Sequence, residues 1–270
     1  MDREAGKEEI MDTHVFMLTW NNKEETIKAI ESIHNTLPPR ARFTVLDNNS
    51  KDGLQDYLKT LTWANVVLDK EHCNQIPAKN RCLKMFPSEY YVFTQPDAIY
   101  PRGWLETLIE CAESNPKIGM VSLPCHASEV EPLLIDNKNS TNVIFVQRVF
   151  KDGSQRIEQI DISRNKIIEA DFVASVCTLL ADNCLKDIGY LDESYGRGWF
   201  DDIEYSFRAR KQGWKIVINC NMFLEHRGRG SFSNLDMRAY EKWAGINISR
   251  FLEKYKDMCR TPPELGMFYK

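Results

Sequence analysis

Through residues 14–123, short runs of β-branched and aromatic residues alternate with amphipathic stretches. That order restricts the chain to an α/β fold, in which a mainly parallel sheet is flanked by helices. The candidate strands are residues 14–20, 43–47, 65–69, 90–95 and 118–123, with helices over 23–35, 53–61, 78–86 and 103–113. In the first helix, Ile27, Ile30 and Ile33 recur at spacings of three and form one apolar stripe to lie against a sheet. The pattern changes after Pro124. Residues 143–150 and 156–162 are strand-like and are joined across Lys151-Asp152-Gly153-Ser154, whose Asp-Gly pair favours a tight turn, so an inserted antiparallel hairpin is expected.

Beyond the hairpin come an apolar stretch at 171–181, a short helix at 183–188 and a loop of glycines and aromatics at 190–200. A helix over 201–212, strands at 215–219 and 222–226, and a long C-terminal helix over 234–255 complete the pattern. In that last helix Tyr240, Trp243, Ile246 and Phe251 are the expected apolar contacts. The expected organisation is a charged leader over 1–12, one domain over 13–232 with halves at 13–124 and 125–232, and a helical extension over 233–270.

Composition narrows the class further. A chain of 270 residues that is 43% hydrophobic can bury a sizeable core. Its longest apolar runs, such as 15–18 and 143–146, fall far short of the roughly 18 apolar residues that a membrane-spanning helix needs. The charged start lacks the apolar core of a secretory signal, and the eight cysteines include no close C-x-x-C pair. They are therefore expected to be reduced thiols in a cytoplasmic protein. The net charge of −4 does not mark a polyanion binder, yet residues 137–168 carry six basic against three acidic side chains. That local excess fits either a solvated hairpin face or a surface turned toward an anionic partner.

A parallel sheet presents its functional loops at the carboxyl ends of its strands. Here those ends carry Thr19-Trp20-Asn21-Asn22, Asp47-Asn48-Asn49-Ser50 and Gln95-Pro96-Asp97. No G-x-G-x-x-G follows the first strand and no G-x-x-x-x-G-K-[ST] occurs, which removes the main support for dinucleotide and P-loop readings. Asp47 can accept hydrogen bonds from a ribose or a base edge, whereas turn formation and capping account for Asn49, Ser50 and Asp52 without a ligand. Asp97 is either a turn residue or an oxygen ligand for Mg²⁺ or Mn²⁺. Asp201 and Asp202 open a helix, where its dipole stabilises both; one of such a pair can bind an acceptor while the other serves as general base. Glu204 and Arg208, four apart on that helix, read as a modest surface pair. His226 precedes Arg227-Gly228-Arg229-Gly230-Ser231, a loop suited to close over phosphates.

Taken in order, these sites resemble the glycosyltransferase family 2 enzymes of GT-A fold. The family's T-Y-N after the first strand appears as Thr19-Trp20-Asn21, and its D-N-x-S-x-D-G turn as Asp47-Asn48-Asn49-Ser50-Lys51-Asp52-Gly53. A shortened N-x-G-x-x-x-A-R-N-x-G is similar to Asn74-Gln75-Ile76-Pro77-Ala78-Lys79-Asn80-Arg81-Cys82. Asp171-Phe172-Val173-Ala174-Ser175 and Gly189-Tyr190-Leu191-Asp192-Glu193 look like V-D-F-x-x-G and G-x-F-D-E. Asp201-Asp202-Ile203-Glu204 with Arg208-Ala209-Arg210-Lys211-Gln212-Gly213-Trp214 is similar to E-D-x-D and R-A-x-x-x-G-W. The resemblance runs from about Val15 to Ser231.

It implies a Rossmann-like, inverting transferase that moves a sugar from a nucleoside diphosphate, with a UDP-sugar the expected donor, to an acceptor hydroxyl on a glycan, lipid-linked sugar or modified nucleic acid. Carried over by position, Thr19, Trp20, Asn21, Asp47, Asn49, Lys79, Asn80, Gln95 and Asp97 would bind the donor. Asp97 and His226 would hold Mn²⁺ or Mg²⁺, and Arg227 and Arg229 the phosphates. Asp202 would be the base with Asp201 beside it, and Tyr195, Trp199 and Phe200 would face the acceptor. The chain departs from the pattern at Gln95, where the metal motif usually has an acidic residue or Asn, and at Lys79, where Arg is common. A catalytically weakened nucleotide-sugar or glycan-binding module of the same fold is the alternative reading.

Overall fold

The computed structural model describes residues 13–127, 143–196, 198–226 and 237–261. The first half alternates β1 (Thr13–Thr19), α1 (Lys23–His34), β2 (Ala41–Asp47), α2 (Leu54–Leu58), β3 (Asn65–Leu68), α3 (Gln75–Met85) and β4 (Tyr90–Thr94). A two-residue strand β5 (Ala98–Ile99), α4 (Trp104–Glu113), β6 (Ile118–Ser122) and β7 (Cys125–Ala127) follow. The hairpin is β8 (Val143–Val149) and β9 (Gln155–Asp161). Then come β10 (Ile167–Glu169), β11 (Cys177–Ala181), α5 (Asp182–Ile188), α6 (Asp201–Lys211), β12 (Lys215–Asn219), β13 (Leu224–His226) and α7 (Met237–Tyr255).

Eight strands form the main sheet in the order β10-β12-β6-β11-β4-β1-β2-β3. The β1–β2, β1–β4, β2–β3 and β6–β12 pairs are parallel, whereas β11 runs antiparallel to both β4 and β6. This inversion matters for the site. The carboxyl ends of β1, β2, β3, β4 and β6 share one edge, and the amino end of β11 arrives at that same edge, bringing residues 174–176 with it.

Alternation along the strands divides the core between the two faces of the sheet. Phe16, Tyr91, Phe93, Met120 and Leu180 pack on one side with residues of α3, α5, α6 and α7. Val15, Met17, Val45, Val92, Val121 and Leu179 pack on the other with α1, α2 and α4. One face of the hairpin closes a third cluster through Ile144, Val146, Ile162 and Cys220. All eight cysteines are free, and among the described residues no helix is long and apolar enough to cross a membrane.

The expected alternation is present, with three differences. Helix α3 starts at Gln75, three residues before the expected start at 78, because Pro77 sits in its first turn, where a missing N–H removes no intrahelical bond. Strands β5, β7 and β10 were not expected; at two or three residues each they carry no readable alternation. The Glu204–Arg208 pair is not a surface pair. Glu204 is 2% exposed and also accepts a 2.8 Å bond from the Tyr255 hydroxyl on α7, so the ion pair is part of the α6–α7 packing.

His14 begins β1 with its ring fully buried, Nε2 2.9 Å from the Thr44 hydroxyl and Nδ1 without a hydrogen-bond partner among the described residues. Burial, with a smaller contribution from Arg42, pushes its pKa down to about 4 from 6.5. The unfolded chain therefore binds this proton first, and folded stability is lost as pH falls from 6.5 through about 4. The full difference corresponds to about 3 kcal/mol. Urea unfolding at pH 7 and pH 4.5 is expected to show most of that loss, and His14→Gln should flatten the dependence.

Candidate active site

The loops after β1 and β2 are laced together by their own side chains. Asn21 and Asn22 adopt left-handed backbone conformations, which asparagine tolerates better than most residues. The Asn21 N–H donates to Ser50 Oγ at 2.7 Å, and its Oδ1 accepts from the Lys51 N–H at 2.8 Å. Asp47 lies beneath this turn, fully buried. Its carboxylate accepts from Thr19 Oγ1 at 3.1 Å, the Ser50 N–H at 3.0 Å, Gln55 Nε2 at 2.7 Å and the Ser50 hydroxyl. Trp20 stacks on His72 with ring centroids 4.7 Å apart, and His72 Nδ1 lies 3.3 Å from the Asn48 carbonyl.

Along the same edge, the Gln95 N–H donates to the Tyr100 hydroxyl at 2.8 Å, and that hydroxyl lies 3.2 Å from the Val176 carbonyl. Tyr100, 1% exposed, thus ties the loop carrying Asp97 to the segment that leads into β11. Asp97 Oδ1 is 3.1 Å from His226 Nε2, so the two residues expected to share a cation lie side by side although 129 positions apart. A carboxylate and an imidazole are donors suited to Mn²⁺. No cluster of three or more His, Cys, Asp or Glu that could hold a metal occurs among the described residues.

The acidic pair opens α6 directly after Trp199 and Phe200, both in left-handed conformations at φ 62° and 66°. Lys79 reaches it from α3: its Nζ lies 3.3 Å from Asp201 Oδ2, 3.5 Å from Asp202 Oδ1 and 3.0 Å from Ser175 Oγ. Ser175 holds Asp202 from the other side, through its N–H at 3.1 Å and its hydroxyl at 2.5 Å. The Asp201 side chain is only 6% exposed, that of Asp202 27%. Burial raises the Asp201 pKa, Asp202 adds to the rise and Lys79 opposes it, leaving it at about 6. For Lys79 burial works against the charge, but Asp202 and Asp201 together outweigh it and hold the ammonium above its ordinary value.

The comparisons accord with this geometry. The model of the family described as glycosyl transferase family 2 matches residues 14–178. The chain belongs to glycosyltransferase family 2. Solved structures of the GT-A kind share its fold. A crystal structure of GalNAc-T7 with UDP, GalNAc and Mn²⁺ aligns at a TM-score of 0.71 and 12% identity, over 93% of this chain and 50% of that one. The mannosyltransferase PcManGT of Pyrobaculum calidifontis, in complex with GDP-Man and Mn²⁺, aligns at 0.63 and 17% identity, over 93% and 66% of the two chains. Residues 1–349 of S. aureus TarS align at 0.57 and 12% identity, over 91% and 73%. The chain thus spans half of the GalNAc-T7 chain and about two thirds of PcManGT. A comparison with curated proteins gives no match.

In this family 2 chain several site residues sit differently from expectation. Asp47 accepts four hydrogen bonds from Thr19, Ser50 and Gln55 and so organises the turn. Asn80 is buried and joins α3 to the loop before α6, donating to the Leu191 carbonyl and Glu193 at 3.0 Å and accepting from the Leu191 N–H. Lys79 faces the acidic pair rather than the β1 and β2 loops. Tyr195 and Phe200 are core residues, 0% and 4% exposed, because α7 covers them; Trp199, at 41%, meets solvent. Asn49 is half-buried with its side-chain oxygen 2.6 Å from Lys51 Nζ. Arg227 and Arg229 lie outside the described residues.

The structure also adds Ser175 and Tyr100 to the site. Ser175 stands where the family-like block was read only as a resemblance, and Tyr100 follows Asp97 closely in sequence without carrying any motif. Removing Lys79 should leave two carboxylates without their cation, a change that typically costs about 3–5 kcal/mol when the pair is buried. Lys79→Met is therefore expected to lower the unfolding temperature strongly at pH 8 and less at pH 5.5, where Asp201 binds a proton; differential scanning calorimetry at both values checks this. Equal losses at both would show that the carboxylates do not depend on Lys79.

Proposed function

We propose that this chain is an inverting, metal-assisted glycosyltransferase that moves a sugar from a nucleoside diphosphate donor to an acceptor hydroxyl. One observation carries the reading: Asp202, half-buried and oriented by Ser175 and Lys79, shares a sheet edge with the Asp97–His226 pair, and Tyr100 links the two. A base and a cation-ready pair on one edge have no use in a pure binding module. Family membership supports transfer from a nucleotide sugar, and so do the fold relatives, one a crystal structure with UDP and the other a complex with GDP-Man, both with Mn²⁺.

The loops after β1 and β2 would receive the nucleoside, with Trp20 and His72 offering stacked aromatic faces and Asn21 and Asn49 rigid amides. Asp97 and His226 would hold the divalent cation, with Gln95 two residues before Asp97 in the chain. Bound there, the cation supplies positive charge to the diphosphate as the glycosidic bond to it breaks. Asp202 removes the proton of the attacking hydroxyl, which enters opposite the departing diphosphate, so the anomeric configuration inverts. Asp201 stays behind with Lys79. That leaves Asp202 as the more exposed carboxylate, able to approach an acceptor.

Incubation with UDP-, GDP- and dTDP-sugars and Mn²⁺, followed by nucleoside diphosphate release, tests the proposal. Asp202→Asn should reduce release by about 10²–10⁴-fold while titration calorimetry still registers donor binding. Asp97→Ala should weaken Mn²⁺ binding measured directly by the ion's paramagnetic relaxation of water. Full turnover in Asp202→Asn would remove the base assignment, and no donor binding across the panel would remove the transferase reading.

A further inference from the structure

We infer that the C-terminal helix α7 is a working part of the acceptor side of the site, with Asn247 as its positioning residue. The inference rests on the reading of Asp202 as the base, and it concerns a stretch of chain beyond the residues 14–178 that the family model matches.

Asn247 is fully buried, and all of its carboxamide is engaged with the turn that precedes α6. Its Nδ2 donates to the carbonyls of Tyr195 at 3.1 Å, Gly198 at 3.0 Å and Trp199 at 3.1 Å. Two N–H groups are thereby shared among three carbonyls of one turn. Its Oδ1 accepts from Arg250 Nη1 at 2.9 Å, and the same Nη1 donates to the Ser194 carbonyl at 2.6 Å. Lys254 Nζ adds a 3.0 Å bond to Asp192, and the Phe251 ring meets Phe200 edge-on at 5.3 Å. Residues 247, 250, 251 and 254 recur at helical spacing, so one face of α7 grips the segment from Asp192 to Phe200.

The gripped segment is conformationally costly. Gly198, Trp199 and Phe200 are successive left-handed residues at φ 102°, 62° and 66°, and the last two carry side chains that disfavour this region. Such strain persists only where surrounding structure over-determines it. At Gly198 a Cβ would fall 1.6 Å from Gln75 Nε2, so a side chain there would displace the end of Gln75 as well as strain the backbone at φ 102°. What the turn achieves is a separation of roles: Phe200 is driven into the core, Trp199 emerges with its indole partly exposed, and Asp201 and Asp202 open α6 against Lys79 and Ser175. Asn247 supplies the donors that hold this arrangement. It touches no reacting atom in the proposed mechanism and acts through the turn.

The test uses the full chain and the nucleotide sugar that the donor panel selects, with water as the acceptor. Asn247→Leu, which keeps the volume and removes the donors, is expected to lower kcat for donor hydrolysis about tenfold or more while the donor KM stays within twofold. Acrylamide quenching of the Trp199 fluorescence, isolated by difference against Trp199→Phe, should rise at least twofold. Ile33→Val, in α1 on the opposite face of the sheet, serves as a control for lost stability and should leave both readouts unchanged. Asn247→Gln keeps the donors on a longer arm and is read in place of Asn247→Leu if that variant does not fold; a loss between the two limits is expected. Unchanged kcat and quenching in the Asn247 variants, or equal losses in Ile33→Val, would overturn the inference. A wild-type chain that binds no donor would instead remove the transferase reading, and the quenching arm would still decide whether Asn247 fixes the turn.

Discussion

Two adjacent carboxylates at the start of a helix, one of them almost wholly out of water, require a cation, and Lys79 is the cation this chain supplies. Its charge answers only half of theirs. The Ser175 hydroxyl and N–H, together with the positive end of α6, offset the remainder. Because the ammonium comes from α3, the acids from α6 and the serine from the approach to β11, satisfying this one buried cluster fixes the mutual placement of three otherwise separate segments. The partition within the pair follows as well. Asp201 is closed in with Lys79, and Asp202, held by Ser175, retains the greater exposure.

The cluster reaches the edge that carries the loops after β1, β2 and β4 only because β11 is inverted. A parallel strand in that position would deliver its amino end to the opposite edge, and Ser175 with it. With β11 antiparallel to β4 and β6, the Val176 carbonyl comes within reach of the Tyr100 hydroxyl, which in turn receives the N–H of Gln95. A single buried phenol thus couples the loop of Asp97 to the serine that orients Asp202. Such a chain of hydrogen bonds is rigid because each polar group in it would be left unpaired if the others moved.

Much of this was legible in the sequence wherever structure is local. The strand and helix alternation of the first half, the Asp-Gly hairpin and the helix opening at Asp201 are periodic or turn-coded, and the elements lie close to where those signals put them. The pairing of Asp97 with His226 was also readable, from motifs that arrive in a fixed order. What could not be read depends on contacts across long stretches of chain. Lys79 meets Asp201 over 122 positions, and nothing near either residue announces the other. Asp47 shows a carboxylate at a strand end, but whether its oxygens are free depends on how Thr19, Ser50 and Gln55 turn toward it. Tyr195 and Phe200 sit among glycines, a composition that signals an exposed loop, and only the covering α7 makes them core.

The hairpin shows the same limit in its electrostatics. Counting charges along residues 137–168 gives an excess of three positive, which would suit an anionic acceptor. In three dimensions Arg148 is 8% exposed and is engaged by Glu158 at 2.6 Å and by buried Asp171 at 3.4 Å, and Arg156 pairs with Asp152 while lying over the Phe150 ring. Asp171 also accepts from Arg260 and from the Val149 N–H, so Arg148 fastens the hairpin to the segment after α7, whereas the Arg156–Asp152 pair stays within the hairpin and exposed. The partners Asp152 and Glu158 already stand in that count, so only the pairing of Arg148 with Asp171 takes a charge off the tally, and Arg164 remains exposed. The partly exposed indole of Trp199 lies three residues before Asp202 in the chain, and an indole face favours the apolar face of a sugar ring over a phosphate.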